Sequence, residues 1–168
     1  MAYNIFLFLH IFFASMVLSL IPFGMFMKGR KARSKGTPVE LYNIQMEFGV
    51  GRFMGMIGGI GLLVAGGAMA GIGKMPWFDF GNSAFLWLAV KQTVYVVVLI
   101  LNFGFMMPVG KKAMPLIAQQ LATGGSGGAT EEIRALSAKA SAIGMIMGLL
   151  GLTNAILGVF GPSWHMQL

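Results

Sequence analysis

The chain has no cysteine and very few charged residues. The missing cysteines exclude disulfides, thiolate metal sites, iron–sulfur clusters and cysteine nucleophiles. Only 10% of the 168 residues are charged, whereas a soluble domain carries about a quarter. Hydrophobic residues make up 57% of the chain, and its mean hydropathy is +0.78. This composition predicts an integral membrane protein, and the length allows a single domain, residues 1–168.

Acidic residues are scarcer still, with five Asp and Glu against twelve Lys and Arg. The net charge of +7 could suit a nucleic-acid partner. However, five of the cations form one short run directly after an apolar stretch: Lys28, Arg30, Lys31, Arg33 and Lys35. Lipid head groups and membrane topology explain such a run. We therefore expect the lipid bilayer as a partner and no nucleic acid.

Four stretches reach the roughly 20 apolar residues that a membrane-spanning helix needs. They cover about 4–27, 48–72, 84–107 and 140–160, so the fold class is an all-α bundle of four transmembrane helices. We expect an amphipathic lead-in over 39–47. Residues 108–139 are expected to begin as a basic, flexible loop. Thr130, followed by Glu131 and Glu132, predicts a capped start of the fourth helix outside the bilayer.

The basic residues predict an orientation. The first and third loops together hold nine Lys and Arg, and the second loop holds one, Lys74. The positive-inside rule places the first and third loops in the cytoplasm. Both termini are then on the outer side of the membrane.

Glycines recur four residues apart in the second and fourth spans. The set is Gly51, Gly55, Gly59, Gly67, Gly71, Gly144 and Gly148. Small residues at this spacing are typical of helices that approach closely in lipid. An alternative is that the glycines also clear room for a flat cofactor.

The predicted spans contain few polar residues that could carry chemistry: His10, Glu47, Arg52, Lys91, Asn102 and Asn154. An ionisable residue inside a membrane is a functional hypothesis by default. His10, Lys91 and Asn154 each lie six or seven residues from the outer end of a different helix, so they are expected at one level. Met69 of the second span falls at that level too. We predict a cofactor-binding site there, in the outer half of the bilayer, with Glu47 and Arg52 at the opposite end.

The residue types limit what this site could hold. Imidazole is a common axial ligand of haem iron, which makes His10 the candidate metal ligand. A lysine in low dielectric can act as a base or a ligand, or can hold a propionate if charged. A quinone head group would also suit these donors. Structural alternatives are that His10 hydrogen-bonds a backbone group or Asn154, and that Lys91 extends to the outer surface. His165 is expected at head-group level in the tail.

Three sequence runs resemble the HemJ-type protoporphyrinogen oxidases and their CopD-like four-helix relatives. They are LFLHIFFASMVLSLIPFGMFM, MEFGVGRFMGMIGGIGLLVAGG and FLWLAVKQTVYVVVLILNFGF. In this resemblance His10 matches the first-helix histidine of the family and Lys91 its third-helix lysine, whereas Asn102 stands where a further histidine is usual. The resemblance implies a compact four-helix bundle that binds haem b in a bacterial inner membrane. In such a membrane, the orientation from the positive-inside rule places both termini in the periplasm.

These observations lead to three functional hypotheses. The first is a haem b protein that takes part in electron transfer or in porphyrin or quinone redox chemistry; as an enzyme, it would be a haem-dependent membrane oxidoreductase. The second is a non-catalytic subunit of a larger membrane complex, associated with other subunits or with copies of itself. The third is a small transporter, against which stands the lack of acidic residues at mid-membrane depth.

Overall fold

The part of the chain that the structure describes contains five α-helices. A computed structural model describes residues 1–124 and 127–161. The helices are α1 (Ala2–Arg33), α2 (Pro38–Ile72), α3 (Leu86–Ile100), α4 (Met107–Ala122) and α5 (Glu131–Phe160). A 3₁₀ turn, Ser83–Phe85, precedes α3. A π-helical turn, Leu101–Met106, joins α3 to α4, so that residues 83–122 form one continuous helical segment.

Four helical segments are long and apolar enough to cross a membrane: α1, α2, the continuous segment Ser83–Ala122, and α5. This confirms the all-α fold class and the prediction of a multi-pass membrane protein. The helices extend past the predicted spans at one end of the bundle. Thus α1 continues through Pro22 to Arg33, and α2 already begins at Pro38, which makes the amphipathic lead-in part of the second helix.

Helices α1 and α2 run antiparallel. Gly58 of α2 faces Val17 of α1, and Gly61 of α2 faces Phe13 of α1, so residue numbers rise along one helix as they fall along the other. In the same way, the facing pairs show that α5 runs antiparallel to both α1 and α3. Helix α1 packs most extensively on α2, and α5 packs on α1, α3 and α4. The result is an up-and-down bundle.

The most completely buried core lies at one end of the bundle, which we call the basic end (residues 28–48 and 107–143). Its apolar members come from α2, from α4 and from α5 with the loop before it: Leu41, Ile44, Phe48, Val109, Ala113, Ile117, Ala129, Ile133, Ala140 and Ile143. In the apolar windows of the four candidate spans, most residues are not buried. Those surfaces are suited to face lipid.

Helix α4 is the main difference from the sequence prediction, which placed a loop over this segment. Val109, Ala113 and Ile117 recur every four residues and form one buried face. Pro108, which has no backbone donor, comes directly after the π-helical turn, where the hydrogen-bond pattern of the continuous segment changes. At the other side of the loop, the predicted start of α5 is confirmed, since the Ile133 amide donates to Thr130 Oγ1 at 3.3 Å.

A buried carboxylate ties the two loops of the basic end together. Glu40, only 4% exposed, accepts hydrogen bonds from Arg134 Nε at 2.8 Å and Nη2 at 2.9 Å. The backbone amides of Gly36 and Ala129 donate to Glu40 Oε2 at 2.8 and 3.2 Å. The Arg134 guanidinium is the main reason that the pKa of Glu40 falls from 4.5 to about 2. The loop between α1 and α2, which we call loop 1, is therefore held to the start of α5 by charge as well as by packing.

A second ion pair lies deeper at the same end. Lys31 of α1 pairs with Glu47 of α2, and Lys31 Nζ also donates to Ser137 Oγ at 2.9 Å and to Ser141 Oγ at 3.2 Å. The Ser141 hydroxyl donates in turn to Glu47 Oε1 at 3.1 Å. This contact gives Glu47, which the sequence placed at this end without a partner, a defined role in joining α1, α2 and α5.

Candidate functional site

His10 lies on α1 and packs into a gap that a glycine leaves in α2. A Cβ atom at Gly66 would lie 3.2 Å from His10 Cε1 and 3.3 Å from Nδ1. The backbone of Leu62, one turn before Gly66, also lies beside the ring. The imidazole therefore sits where a side chain of residue 66 would otherwise begin.

The two ring nitrogens of His10 have different surroundings. Nδ1 is buried and has no hydrogen-bond partner of ordinary geometry among residues 1–124 and 127–161. Nε2 is not among the ring atoms within 4 Å of the Cβ position at Gly66. The Nδ1 edge thus faces the α2 backbone, and Nε2 is the nitrogen farther from it.

Lys91 occupies a second gap of the same kind. Its Nζ atom lies 2.8 Å from the position that a Cβ of Gly158 on α5 would take. Within the described part of the chain, its ammonium has no carboxylate within ion-pair distance. The facing pairs Gly148–Ile21 and Gly151–Leu18 between α5 and α1 place Gly158 near the level of His10. The structure therefore brings these two residues, from α1 and α3, to one level of the bundle.

Asn154 lies one turn before Gly158 on α5, on the helix face that Lys91 contacts. Its Oδ1 atom is buried, and no described residue hydrogen-bonds to it. Met69 is partly buried on α2, three residues beyond Gly66. Helical periodicity places Met69 and Gly66 on neighbouring positions of one face. All four predicted site residues are thus in the half of the bundle away from the basic end.

The glycines predicted from their spacing differ in their surroundings. Cβ atoms at Gly55, Gly67 and Gly144 would make ordinary contacts, at 3.9, 3.7 and 3.6 Å from Leu20, Trp77 and Met106. One at Gly148 would lie 2.9 Å from Ile21. Three others would meet nothing within 4 Å: those at Gly51, Gly59 and Gly71.

The closest helix contacts in the site half occur at glycines outside that set. A Cβ at Gly58 would lie 2.7 Å from Val17, and one at Gly61 would overlap the Phe13 ring. At Gly66 and Gly158 the space is taken by polar side chains, His10 and Lys91. These two glycines accommodate the site residues themselves.

Tyr95 is a site neighbour that the sequence analysis missed. Its hydroxyl donates to the backbone carbonyl of Gly59, which joins α3 to α2 across the bundle. Tyr95 lies four residues after Lys91, and this one-turn spacing could have indicated that the two residues share one face of α3. The loop between α2 and α3 is held similarly, since the Phe78 amide donates to Gln92 Oε1 at 2.7 Å.

The remaining polar residues lie apart from this group. Arg52 is exposed on α2, and Asn102 is partly buried in the π-helical turn. His165 lies outside the described residues. Within the described ranges, no group of three or more His, Cys, Asp or Glu side chains could hold a metal ion.

A metal held by His10 would need to bring most of its own ligands with it. Haem iron is held by its porphyrin and needs one or two axial groups from the protein. A ligating histidine commonly directs its other ring nitrogen at a backbone carbonyl. His10 presents its Nδ1 edge to the α2 backbone without a hydrogen bond of ordinary geometry to a described residue, and Nε2, which lies farther from that backbone, is the nitrogen that could hold an iron atom.

No family model matches the chain, and neither a curated protein nor a solved structure matches it.

Proposed function

We propose that this protein binds haem b through His10 and takes part in electron transfer within a bacterial inner membrane. The observation that carries the proposal is the seating of His10 against Gly66, with the Nδ1 edge on α2 and Lys91 close by. The sequence resemblance supports the same pair of residues. Bound haem would supply a one-electron redox centre.

His10 and Lys91 have distinct roles in this proposal. Nε2 of His10 would hold the haem iron, and the α2 backbone at Leu62 and Gly66, which lies beside the ring, would orient the imidazole. The Lys91 ammonium, without a described carboxylate partner, attracts an anionic propionate or donates to a quinone carbonyl. Asn154 and Met69 lie in the same half of the bundle. Asn154 adds a polar amide and Met69 a thioether near the ligand.

The proposed orientation follows from the basic end. That end carries all but one of the Lys and Arg residues of the loops, and we infer that it faces the cytoplasm. The His10 site then lies in the periplasmic half of the membrane, and the N-terminus is periplasmic. An electron donor or acceptor that reaches the site from that side or from within the lipid is consistent with this placement.

The test is the visible absorption spectrum of protein purified from a haem-replete host. We expect a Soret band in the wild type, a loss of most of that band in His10→Ala, and no change in His165→Ala, which removes the other histidine of the chain. Circular dichroism checks that both variants keep their helix content. A wild type without a Soret band, or a band that persists in folded His10→Ala, would contradict the proposal.

A second candidate is a non-catalytic subunit of a membrane complex. It is favoured by an exposed apolar stripe on the part of α2 that precedes the apolar span: Val39, Tyr42 and Met46 are 50%, 59% and 45% exposed. Native mass measurement after gentle extraction separates the candidates. Stable partner subunits without haem support the second candidate, whereas a haem-loaded monomer or homodimer supports the first.

A further inference from the structure

A groove at the basic end lies between the α3–α4 segment and α5. Its volume is about 130 Å³, and its lining includes Gly104 and Phe105 of the π-helical turn, Lys112 of α4, and Leu136 and Lys139 of α5. No atom lies within 4 Å of the Cβ position at Gly104, so the wall is open there. The groove has an apolar part and two exposed ammonium groups.

The groove also lies at the depth of the lipid head groups. The third predicted span ends near residue 107 and the fourth begins near residue 140. At 1.5 Å per residue, Lys112 is therefore about 7 Å beyond the apolar layer, and Lys139 lies at its edge. The interfacial zone on each side of a bilayer is about 5–8 Å thick. Phe105, within the third span, faces the groove from the hydrocarbon side.

Within the described ranges, none of the ion pairs made by the acidic residues of the basic end includes Lys112 or Lys139. Glu40 and Glu131 pair with Arg134, and Glu47 pairs with Lys31. The fourth, Glu132, lines a different cavity. Among the described residues, neither Lys112 nor Lys139 forms an ion pair.

We propose that this groove binds the phosphate head group of an anionic phospholipid, with Lys112 and Lys139 as the two cationic contacts and Phe105 against the start of an acyl chain. A groove of about 130 Å³ has room for a phosphate group and not for a whole lipid. Basic pockets between membrane helices are recognised lipid head-group sites. The site is independent of His10 and of haem.

The experiment compares two double variants that remove the same charge. Lys112→Gln/Lys139→Gln removes both groove lysines, and Lys35→Gln/Lys111→Gln removes two exposed lysines that do not line the groove. Native mass spectrometry of detergent-solubilised protein measures the first bound phosphatidylglycerol, with phosphatidylcholine as the neutral comparison. We expect the groove variant to lose about 25-fold in phosphatidylglycerol affinity, about fivefold per lysine, and the control to stay within about twofold.

Several results would overturn the proposal. They are an equal loss in both double variants, an unchanged affinity in the groove variant, or a wild type that binds phosphatidylcholine as tightly as phosphatidylglycerol. Displacement of the lipid by an equal concentration of inorganic phosphate would assign the site to free phosphate instead. Melting temperatures without lipid check the fold, and the two single variants, each expected to lose about fivefold, carry the test if the double variant is unstable.

Discussion

Gly58 and Gly59 are neighbours on α2 with opposite surroundings. A Cβ at Gly58 would lie 2.7 Å from Val17 Cγ2 and 3.4 Å from the Phe13 carbonyl oxygen of α1, whereas one at Gly59 would meet nothing within 4 Å. Val17 cannot easily yield because its branched side chain is stiff at χ1. The contact between α1 and α2 therefore depends on the absence of a single methyl group at Gly58.

This difference predicts opposite outcomes for two alanine substitutions. Gly58→Ala should destabilise the protein by about 1–3 kcal/mol, because α1 must move away from α2. Gly59→Ala should be neutral or stabilising by up to about 1 kcal/mol, since alanine favours a helix over glycine. Thermal unfolding in one detergent measures both variants. Equal melting temperatures would show that α1 and α2 do not approach as described.

Individual residues also show which parts of the helix packing and of the site could be predicted from the sequence. Spacing alone selected Gly51, Gly55 and Gly59, because four-residue repeats are visible without a partner. Gly58 and Gly61 become recognisable only when the register of α1 against α2 is known. In contrast, His10 and Lys91 could be placed at one level from helix ends and residue counts, because the rise of a helix is constant.

At the scale of elements, the basic end is held together by helix α4 and by the Glu40 contact. The sequence suggested a loop over residues 108–129 because two prolines, several glycines and two lysines interrupt its apolar pattern. The spacing of Val109, Ala113 and Ile117 was the signal for α4, but its burial requires the facing α2 and α5. The Glu40–Arg134 pair joins positions 94 residues apart and could not be read from local pattern.

The Glu40 contact predicts a pH-dependent stability. Because its pKa falls from 4.5 to about 2 on folding, ionised Glu40 stabilises the fold above pH 4.5 and loses this effect as the pH drops towards 2. A shift of this size corresponds to about 3 kcal/mol. Unfolding in detergent between pH 7 and pH 2 should show this loss in the wild type.

Two variants identify the carboxylate responsible. Glu40→Gln should already be less stable at pH 7 and should lose less stability on acidification than the wild type does. Glu132→Gln, a matched change at an exposed position without an ion pair in the described ranges, should follow the wild type. Parallel acid profiles for wild type and Glu40→Gln would mean that another group governs the transition.

The whole molecule has a polar, tightly packed end and an apolar end that contains His10. Four spans and their alternating directions follow from composition and length, and the structure has four helical segments of that kind. Which end faces the cytoplasm is a property of the membrane and not of the isolated bundle. The proposed topology depends on the distribution of Lys and Arg.

Single cysteines can test that topology without background, because the natural chain has none. Lys35→Cys lies in loop 1 at the basic end, and Asn82→Cys lies in the loop at the opposite end; both positions are exposed. In intact bacterial cells, a membrane-impermeant maleimide should label Asn82→Cys, and should label Lys35→Cys only after lysis. The reverse pattern would invert the molecule and place the His10 site in the cytoplasmic half.

Chemical rescue at His10 shows directly whether this histidine holds haem. Purified His10→Gly should lose the Soret band of the wild type, and added imidazole should restore it, because the free base can occupy the space beside Gly66 and ligate haem in place of the side chain. A wild type that binds no haem would contradict the proposal that this protein is a haem protein. A His10→Gly variant whose Soret band is intact before imidazole is added would contradict the role of His10 as the haem ligand.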